Sequence, residues 1–291
     1  MNRRNFVNAS TVASVGALAL STNAIAQAVG AAPAAAPPFN PSQGSTMARV
    51  MSSGTLRVAG LVGEEPYFHK DLATGAWSGF CIDMATDIAK NLGTKLEVVE
   101  STWGNSVLDL QANKIDISFG LNPTPKRAMV IAFSSPLFFN TFSVVTRKGF
   151  KPSTWAELND PKVNIAVDLG STHELIARRY APKASITAFK TRDEAILATQ
   201  SGRADCFVAT IFLGLTALKK NPQLGNFVMP TPYIQASVCA AVQYDSDQRF
   251  RDFLDAWAVF NRGNGQARQW IVTALDKIGI SESDVPAEVT F

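Results

Sequence analysis

The sequence predicts an α/β protein of two lobes, and three observations carry that reading. Short runs rich in branched residues alternate with amphipathic helical stretches, which implies right-handed βαβ crossovers and a mostly parallel sheet. The alternation breaks near residue 148 and restarts at 162. Two extended apolar segments, 140–148 and 235–243, are the natural crossings between the resulting units. At 291 residues the chain has room for both, since compact domains cluster around 100–150 residues.

The elements follow in order. TLRVAGLV (55–62), ended by GEEP, reads as a strand. SGFCIDMATDIAKNLG (78–93) sets Ile82, Ala85, Ile88, Ala89 and Leu92 at helical spacing and stops at Gly93. KLEVVES is a second strand, NSVLDLQANK a helix, and IDISFGL a third strand. In the second unit KVNIAVDLG (162–170) is a strand, and STHELIARRYA (171–181) is a helix that opens directly after a glycine. SITAFK, TRDEAILATQSG and ADCFVAT read as strand, helix and strand. YIQASVCAAVQY (233–244) is a further strand, and two amphipathic helices follow within 246–279.

The first 28 residues carry paired arginines, a modest apolar stretch, and small residues spaced A-x-A at Ala24–Ala26 or Ala26–Ala28. That is the pattern of a cleavable export signal, too short for a good membrane anchor. Arg3-Arg4-Asn5-Phe6-Val7 is similar to a twin-arginine signal, with a Sec route open. Residues 29–48 are Ala/Pro-rich and uncharged, and are expected to form a tether. No later stretch reaches about 18 consecutive apolar residues, so a soluble, periplasmic mature chain is expected. Hydrophobic residues make up 46% and charged residues 18%, a globular composition. The formal charge of +3 falls to about +1 once Arg3 and Arg4 leave with the signal, too balanced for a nucleic-acid partner. The three cysteines, Cys81, Cys206 and Cys239, sit in apolar contexts. Cys206 and Cys239 would pair only if their strands were neighbours. With two histidines, His69 and His173, no metal-ligand spacing is present, and no motif calls for a cofactor.

In open α/β sheets, ligands bind beyond the carboxyl ends of the strands. Two such ends stand out: GLNPTPKR (120–127) and DLGSTHE (168–174). The first presents Arg127, whose planar fork grips a carboxylate in two parallel bonds. The second starts a helix at Ser171-Thr172, where free N–H groups and the macrodipole favour an anion. Most such starts are only caps. One arginine and one helix start in different units nonetheless suit a single carboxylate held between two lobes.

Several further stretches fall in register with one family: LRVAG with PYF, GFCIDMATDIAKNLG, IDISFGLNPTPKR, IAFSSPLFF, GSTHE, SGRADCFVA and QARQW. From Leu56 to about Trp270 the chain resembles the family 3 periplasmic solute-binding proteins, the amino-acid-binding components of ABC importers. The resemblance implies a periplasmic-binding-protein-like fold, with lobe one at 49–143 plus 240–291, lobe two at 147–236, and a ligand cleft between them. It implies that Arg127 binds the ligand carboxylate, assisted by Asn122 and the Gly120 backbone, with Thr124 in the same turn. Thr172 and Ser171 would complete the anion cage from the second lobe, while Trp103 and either Tyr67 or Phe68 line the remainder.

One departure from the family bears on the ligand. The family places an aspartate four residues after the Asp of G-R-x-D to hold the ligand's α-amino group. Counting from Asp205 gives Ala209, followed by Thr210, and neither is acidic. Glu64 and Glu65 sit on a cleft-side loop, as replacement anions or as solvated carboxylates. The ligand is therefore expected to be a carboxylate lacking an α-amine, or an amino acid held differently.

A few relatives of this superfamily are periplasmic dehydratases acting on cyclohexadienyl (arogenate-type) acids. Such chemistry needs a general acid in the cleft, for which Glu64, Glu65, Glu174 and His173 are the candidates. Glu174 matches the binding proteins' own pattern and reads as a helix-start residue. His173 either hydrogen-bonds a ligand or faces solvent. The expectation is a monomeric, non-catalytic binding protein that delivers a small carboxylate-bearing ligand to an ABC-transporter permease. A ligand-sensing receptor component would look the same in sequence.

Overall fold

The computed structural model describes residues 44–286. The segment 1–28 read as an export signal, and most of the stretch read as a tether, lie outside the described residues. The helix α1 (Thr46–Ser53) begins inside the stretch 29–48 read as tether, because Ser45 caps it by accepting from the Ala48 N–H. Asp245 Oδ2 further accepts from the Thr46 N–H at 2.6 Å, and Val50 is buried.

The first half continues with β1 (Thr55–Leu61), the small antiparallel pair β2 (His69–Lys70) and β3 (Trp77–Ser78), α2 (Phe80–Leu92) and β4 (Lys95–Ser101). Then come α3 (Ser106–Gln111), β5 (Ser118–Leu121), α4 (Pro125–Ala128), β6 (Ile131–Phe133) and β7 (Phe138–Thr146). The second half runs α5 (Trp155–Leu158), β8 (Asn164–Asp168), α6 (Thr172–Tyr180), β9 (Ser185–Phe189), α7 (Arg192–Gln200), β10 (Cys206–Thr210), α8 (Ile211–Lys220) and β11 (Phe227–Val228). It closes with β12 (Gln235–Gln243), α9 (Arg249–Gly263) and α10 (Gln266–Lys277). The helix α8 carries no signal in the sequence reading, since a short apolar run around Ile211–Leu215 is as consistent with a buried strand.

Sheet direction differs from expectation. Strands β1 and β4 are parallel, as are β8 with β9 and β8 with β10. The central strands β7 and β12 are antiparallel to their neighbours, so the sheet is mixed. The cause is the crossing itself. β12 pairs with β7 through Gln235–Val238 and with β5 and β6 further along, while β7 pairs with β10 and β11 at its other end. The two segments expected to link the units are these two strands, running in opposite senses. Because β7 lies between β10 and β12, Cys206 and Cys239 are not on adjacent strands, and both are free and buried.

Two apolar clusters build the interior. The larger gathers Val58, Phe80, Ile88, Phe119, Leu254 and Ile271, and the smaller gathers Phe142, Trp155, Ile165, Val167 and Val208. Fully burying each such side chain is worth about 1.5–3 kcal/mol, which makes these clusters the main source of stability. The C-terminal helices return to the first half. Trp257 stacks on Trp270 with ring centroids 5.7 Å apart and donates its indole N–H to Asp87 at 2.7 Å. The fold is thus two α/β lobes joined by two strands, with the ends of β5 and β8 facing a common cleft. Among the described residues no helix is long and apolar enough to cross a membrane, and no group of three or more His, Cys, Asp or Glu is placed to hold a metal ion.

Candidate functional site

The cleft is lined from both strand ends singled out in the sequence. Gly120, Asn122 and Arg127 come from the end of β5 and the turn after it, and Ser171, Thr172 and His173 from the start of α6. Tyr67, Trp103, Asn140, Thr210 and Leu213 complete the wall.

Local chemistry places each group. Thr124 caps α4 by accepting from the Arg127 N–H, and Pro125 supplies the first helical residue, which needs no donor there. Ser171 caps α6 by accepting from the Glu174 N–H, while the Glu174 carboxylate reaches back to the Gly170 N–H at 2.9 Å. Thr172 and His173 thus open a helix whose first N–H groups have no intrahelical acceptor. Gly170 is in the left-handed region at φ 73°, and a side chain there would meet Gly104 Cα at 2.9 Å, so the two halves approach backbone to backbone.

Arg127 is 9% exposed. Its Nη1 donates to the Asn122 carbonyl at 3.1 Å and to Thr172 Oγ1 at 3.4 Å, and its Nη2 donates to the Gly170 carbonyl at 3.1 Å. All three acceptors are neutral, and among the described residues no carboxylate pairs with it. Burial lowers its pKa to about 10, so the guanidinium still carries its charge at neutral pH.

Tyr67 is fully buried; its hydroxyl donates to Asn140 Oδ1 at 2.6 Å and lies 3.1 Å from Thr210 Oγ1. Burial pushes the phenol pKa above its ordinary value. Phe68, the alternative aromatic wall, is fully buried in the core and does not line the cleft. Thr124 spends its hydroxyl on the α4 cap and does not line the cleft.

Glu64 is not on the wall either. It is 3% exposed, with Oε2 3.5 Å from Arg192 Nη2, and burial raises its carboxyl to about 8 against the pull of Arg192. The Trp103 indole is turned toward the same carboxyl, though its N–H closes no hydrogen bond of ordinary geometry. Glu65 pairs with His69 and Lys220.

Behind the cleft, Arg192 also binds Asp168 and donates to the Val208 carbonyl at 3.0 Å. Burial raises the Asp168 carboxyl, but the Arg192 charge, with the contact to His173, outweighs it and holds it below the usual range. His173 Nδ1 lies 3.3 Å from Asp168 Oδ2 and 3.3 Å from Arg192 Nη2. Burial first, then the Arg192 charge, lowers the His173 pKa, and the ring is neutral at pH 7. Its Nε2 is buried without a hydrogen-bond partner.

The sequence reading therefore placed Arg127, Asn122, Gly120, Ser171, Thr172, His173, Trp103 and Tyr67 where the structure brings them together. It missed Asn140, Thr210, Leu213 and the Asp168–Arg192 pair. Two signals were available. Asn140 is a lone amide in an apolar run, and Arg192 is a cation in the first turn of a helix, where the macrodipole opposes it unless a buried acid answers. The amine-clamp position counted to Ala209 falls on a buried residue, and the neighbour that reaches the wall is Thr210.

The profile of the bacterial extracellular solute-binding proteins, family 3, matches residues 56–283. Over 230 residues the chain is 26% identical to cyclohexadienyl dehydratase of Pseudomonas aeruginosa, covering 78% of this chain and 85% of that protein. It is 32% identical over 171 residues to the ABC transporter glutamine-binding protein GlnH of Bacillus subtilis, covering 56% of this chain and 62% of that one. The crystal structure of the ancestral amino acid-binding protein AncCDT-1, a precursor of cyclohexadienyl dehydratase, is similar at a TM-score of 0.71 and 30% identity, over 80% of this chain and 99% of that chain.

Proposed function

Because the chain belongs to the bacterial extracellular solute-binding proteins, family 3, we propose that it is the periplasmic substrate-binding component of an ABC importer. It captures a small carboxylate-bearing solute, an amino acid or related organic acid, by closing its lobes on it. One observation carries this reading: the buried Arg127 guanidinium has no acidic partner and faces the start of α6 across the cleft. A buried cation with only neutral acceptors is costly, and an arriving carboxylate offsets that cost from both sides of the cleft.

Lobe one is read as 49–143 plus 240–291 and lobe two as 147–236; the larger apolar cluster draws on both, and the smaller on lobe two and the crossing strand β7. Closure changes few hinge dihedrals, and contacts made in both lobes stabilise the closed state. The protein acts as a monomer and hands its ligand to permease subunits. Export rests on the segment 1–28, by a twin-arginine or Sec route.

A thermal-shift screen of amino acids, monocarboxylates and dicarboxylates tests the reading, since a ligand that binds only the folded state raises the melting temperature by mass action. Hits are expected among acids only, and Arg127→Ala should lose them. Near-native affinity in that variant would overturn the assignment.

A dehydratase acting on cyclohexadienyl acids is the second reading. It is favoured by the relative of that name and by His173, a titratable ring on the cleft wall backed by Asp168. Against it, no carboxyl group among the described residues lines the cleft. Incubation with arogenate, followed by ultraviolet absorbance of an aromatic product and chromatography, separates the two. Turnover would establish the enzyme.

A further inference from the structure

We infer that the cleft selects a small 2-oxo acid, its carboxylate on Arg127 and its carbonyl oxygen accepting from the Nε2–H of His173. The inference rests on the carboxylate-binding reading above and names the ligand class for the same site.

The first support is the tautomer of His173. A guanidinium only donates, and Arg192 Nη2 lies 3.3 Å from His173 Nδ1, so Nδ1 is the acceptor of that bond and holds the ring's lone pair. Asp168 Oδ2 lies 3.3 Å from the same nitrogen, but neither Asp168 oxygen closes a hydrogen bond, and its charge is answered by the ion pair to Arg192. The one proton of the neutral ring therefore sits on Nε2.

The second support is that this proton has nowhere to go within the protein. His173 is 5% exposed and lines the cleft, its Nδ1 edge is turned to the Asp168–Arg192 pair, and Nε2 is buried without a hydrogen-bond partner. A donor buried in this way calls for an acceptor. Thr172, the preceding residue, is the one whose hydroxyl Arg127 contacts across the cleft. Ligand atoms that meet Arg127 and His173 are therefore close neighbours, which suits a carbonyl on the carbon beside the carboxylate.

The third support is the count of charges. Among the described residues that line the cleft, Arg127 carries the one charge at neutral pH, since His173 is neutral and the Tyr67 phenol keeps its proton. The carboxyls of Glu64 and Asp168 lie behind the wall, both engaged by Arg192. One guanidinium answers one carboxylate, and a second carboxylate would be left without a counter-charge. An ammonium would turn its own donors toward the Nε2–H and find no anion on the wall. A carbonyl oxygen accepts the hydrogen bond without adding charge of either sign.

The test titrates butanoate, 2-oxobutanoate, 2-aminobutanoate and the dicarboxylate succinate calorimetrically into the wild-type protein. The 2-oxo acid should bind about tenfold more tightly than its hydrogen and amino counterparts, as expected for one well-placed hydrogen bond. In His173→Phe, which keeps a ring against Phe142, that preference should fall to near one, with butanoate unaffected. His173→Gln, which restores a side-chain N–H, should recover part of it. Nitrogen NMR of His173 in the wild type should show the proton on Nε2 in the free protein, and its N–H proton should move downfield when 2-oxobutanoate is added. This readout stands even if the variants fail to fold. A proton on Nδ1, an Nε2–H signal that ignores 2-oxobutanoate, or tighter binding of 2-aminobutanoate or succinate would overturn the carbonyl assignment and leave the carboxylate site intact. Binding that is indifferent to Arg127→Ala would instead overturn the carboxylate reading itself.

Discussion

The Arg127 guanidinium donates to the Gly170 carbonyl at 3.1 Å, tying together two strand ends that lie 43 residues apart in the chain. The same group reaches Thr172 Oγ1 on the first turn of α6. One cation and one helix start therefore share a surface, and the acceptors that hold the cation leave its charge unanswered.

Arg127→Ala should weaken binding of any carboxylate hit at least about a hundredfold, because it removes one partner of a desolvated charge pair. Its melting temperature should be unchanged or higher, since a buried cation without an acid is lost. Arg127→Lys keeps the charge but not the fork, and should fall between the two. Calorimetry and thermal unfolding check all three.

Gly120→Ala should both destabilise and impair binding. Gly120 has φ 83°, and a Cβ there would lie 2.7 Å from Trp103 Cη2. Strained backbone costs about 1–3 kcal/mol, visible in denaturant unfolding, and the displaced indole enters the cleft, raising Kd.

The hydroxyls at the start of α6 should separate by role. Ser171→Ala removes the cap and should cost about 1 kcal/mol of stability. Thr172→Val leaves the cap in place and should weaken binding about three- to tenfold without moving the unfolding midpoint.

Glu64 predicts a pH dependence. Its carboxyl rises from an ordinary 4.5 to about 8 in the folded protein, so the folded state prefers the protonated form. Stability from this group is full below about pH 4.5 and lost as pH rises through about 8. Glu64→Gln should reduce the fall in melting temperature between those limits relative to wild type. Parallel curves across that window would contradict the prediction. His173, whose pKa is lowered, acts in the opposite sense below about pH 6.5 and is common to both proteins.

Much of the fold was legible because its signals are local. The α6 start was written in Gly170-Ser171-Thr172 with Glu174 three residues after the cap, and α2 was written in the spacing from Ile82 to Leu92 and its stop at Gly93. Arg127 stood out as an isolated cation at the end of a strand. The choice between Tyr67 and Phe68 was not legible, since adjacent aromatics on a loop are equivalent until a neighbour such as Asn140 claims one of them. The direction of β7 and β12 was hidden for the same reason, as strand polarity depends on which partners the crossings meet.

Taken alone, the sequence determined the alternating elements, the two strand ends that line the cleft, and the absence of an acid at Ala209 and Thr210. Only the tertiary structure decided that Glu64 is withdrawn behind the wall by Arg192, 128 residues away, and that His173 meets Arg192 and Asp168 through Nδ1 with its Nε2 left unpartnered. Periodicity and capping are properties of neighbours along the chain. The charge state and orientation of a buried group depend on which distant residues exclude water from it, and that is settled only when the chain is packed.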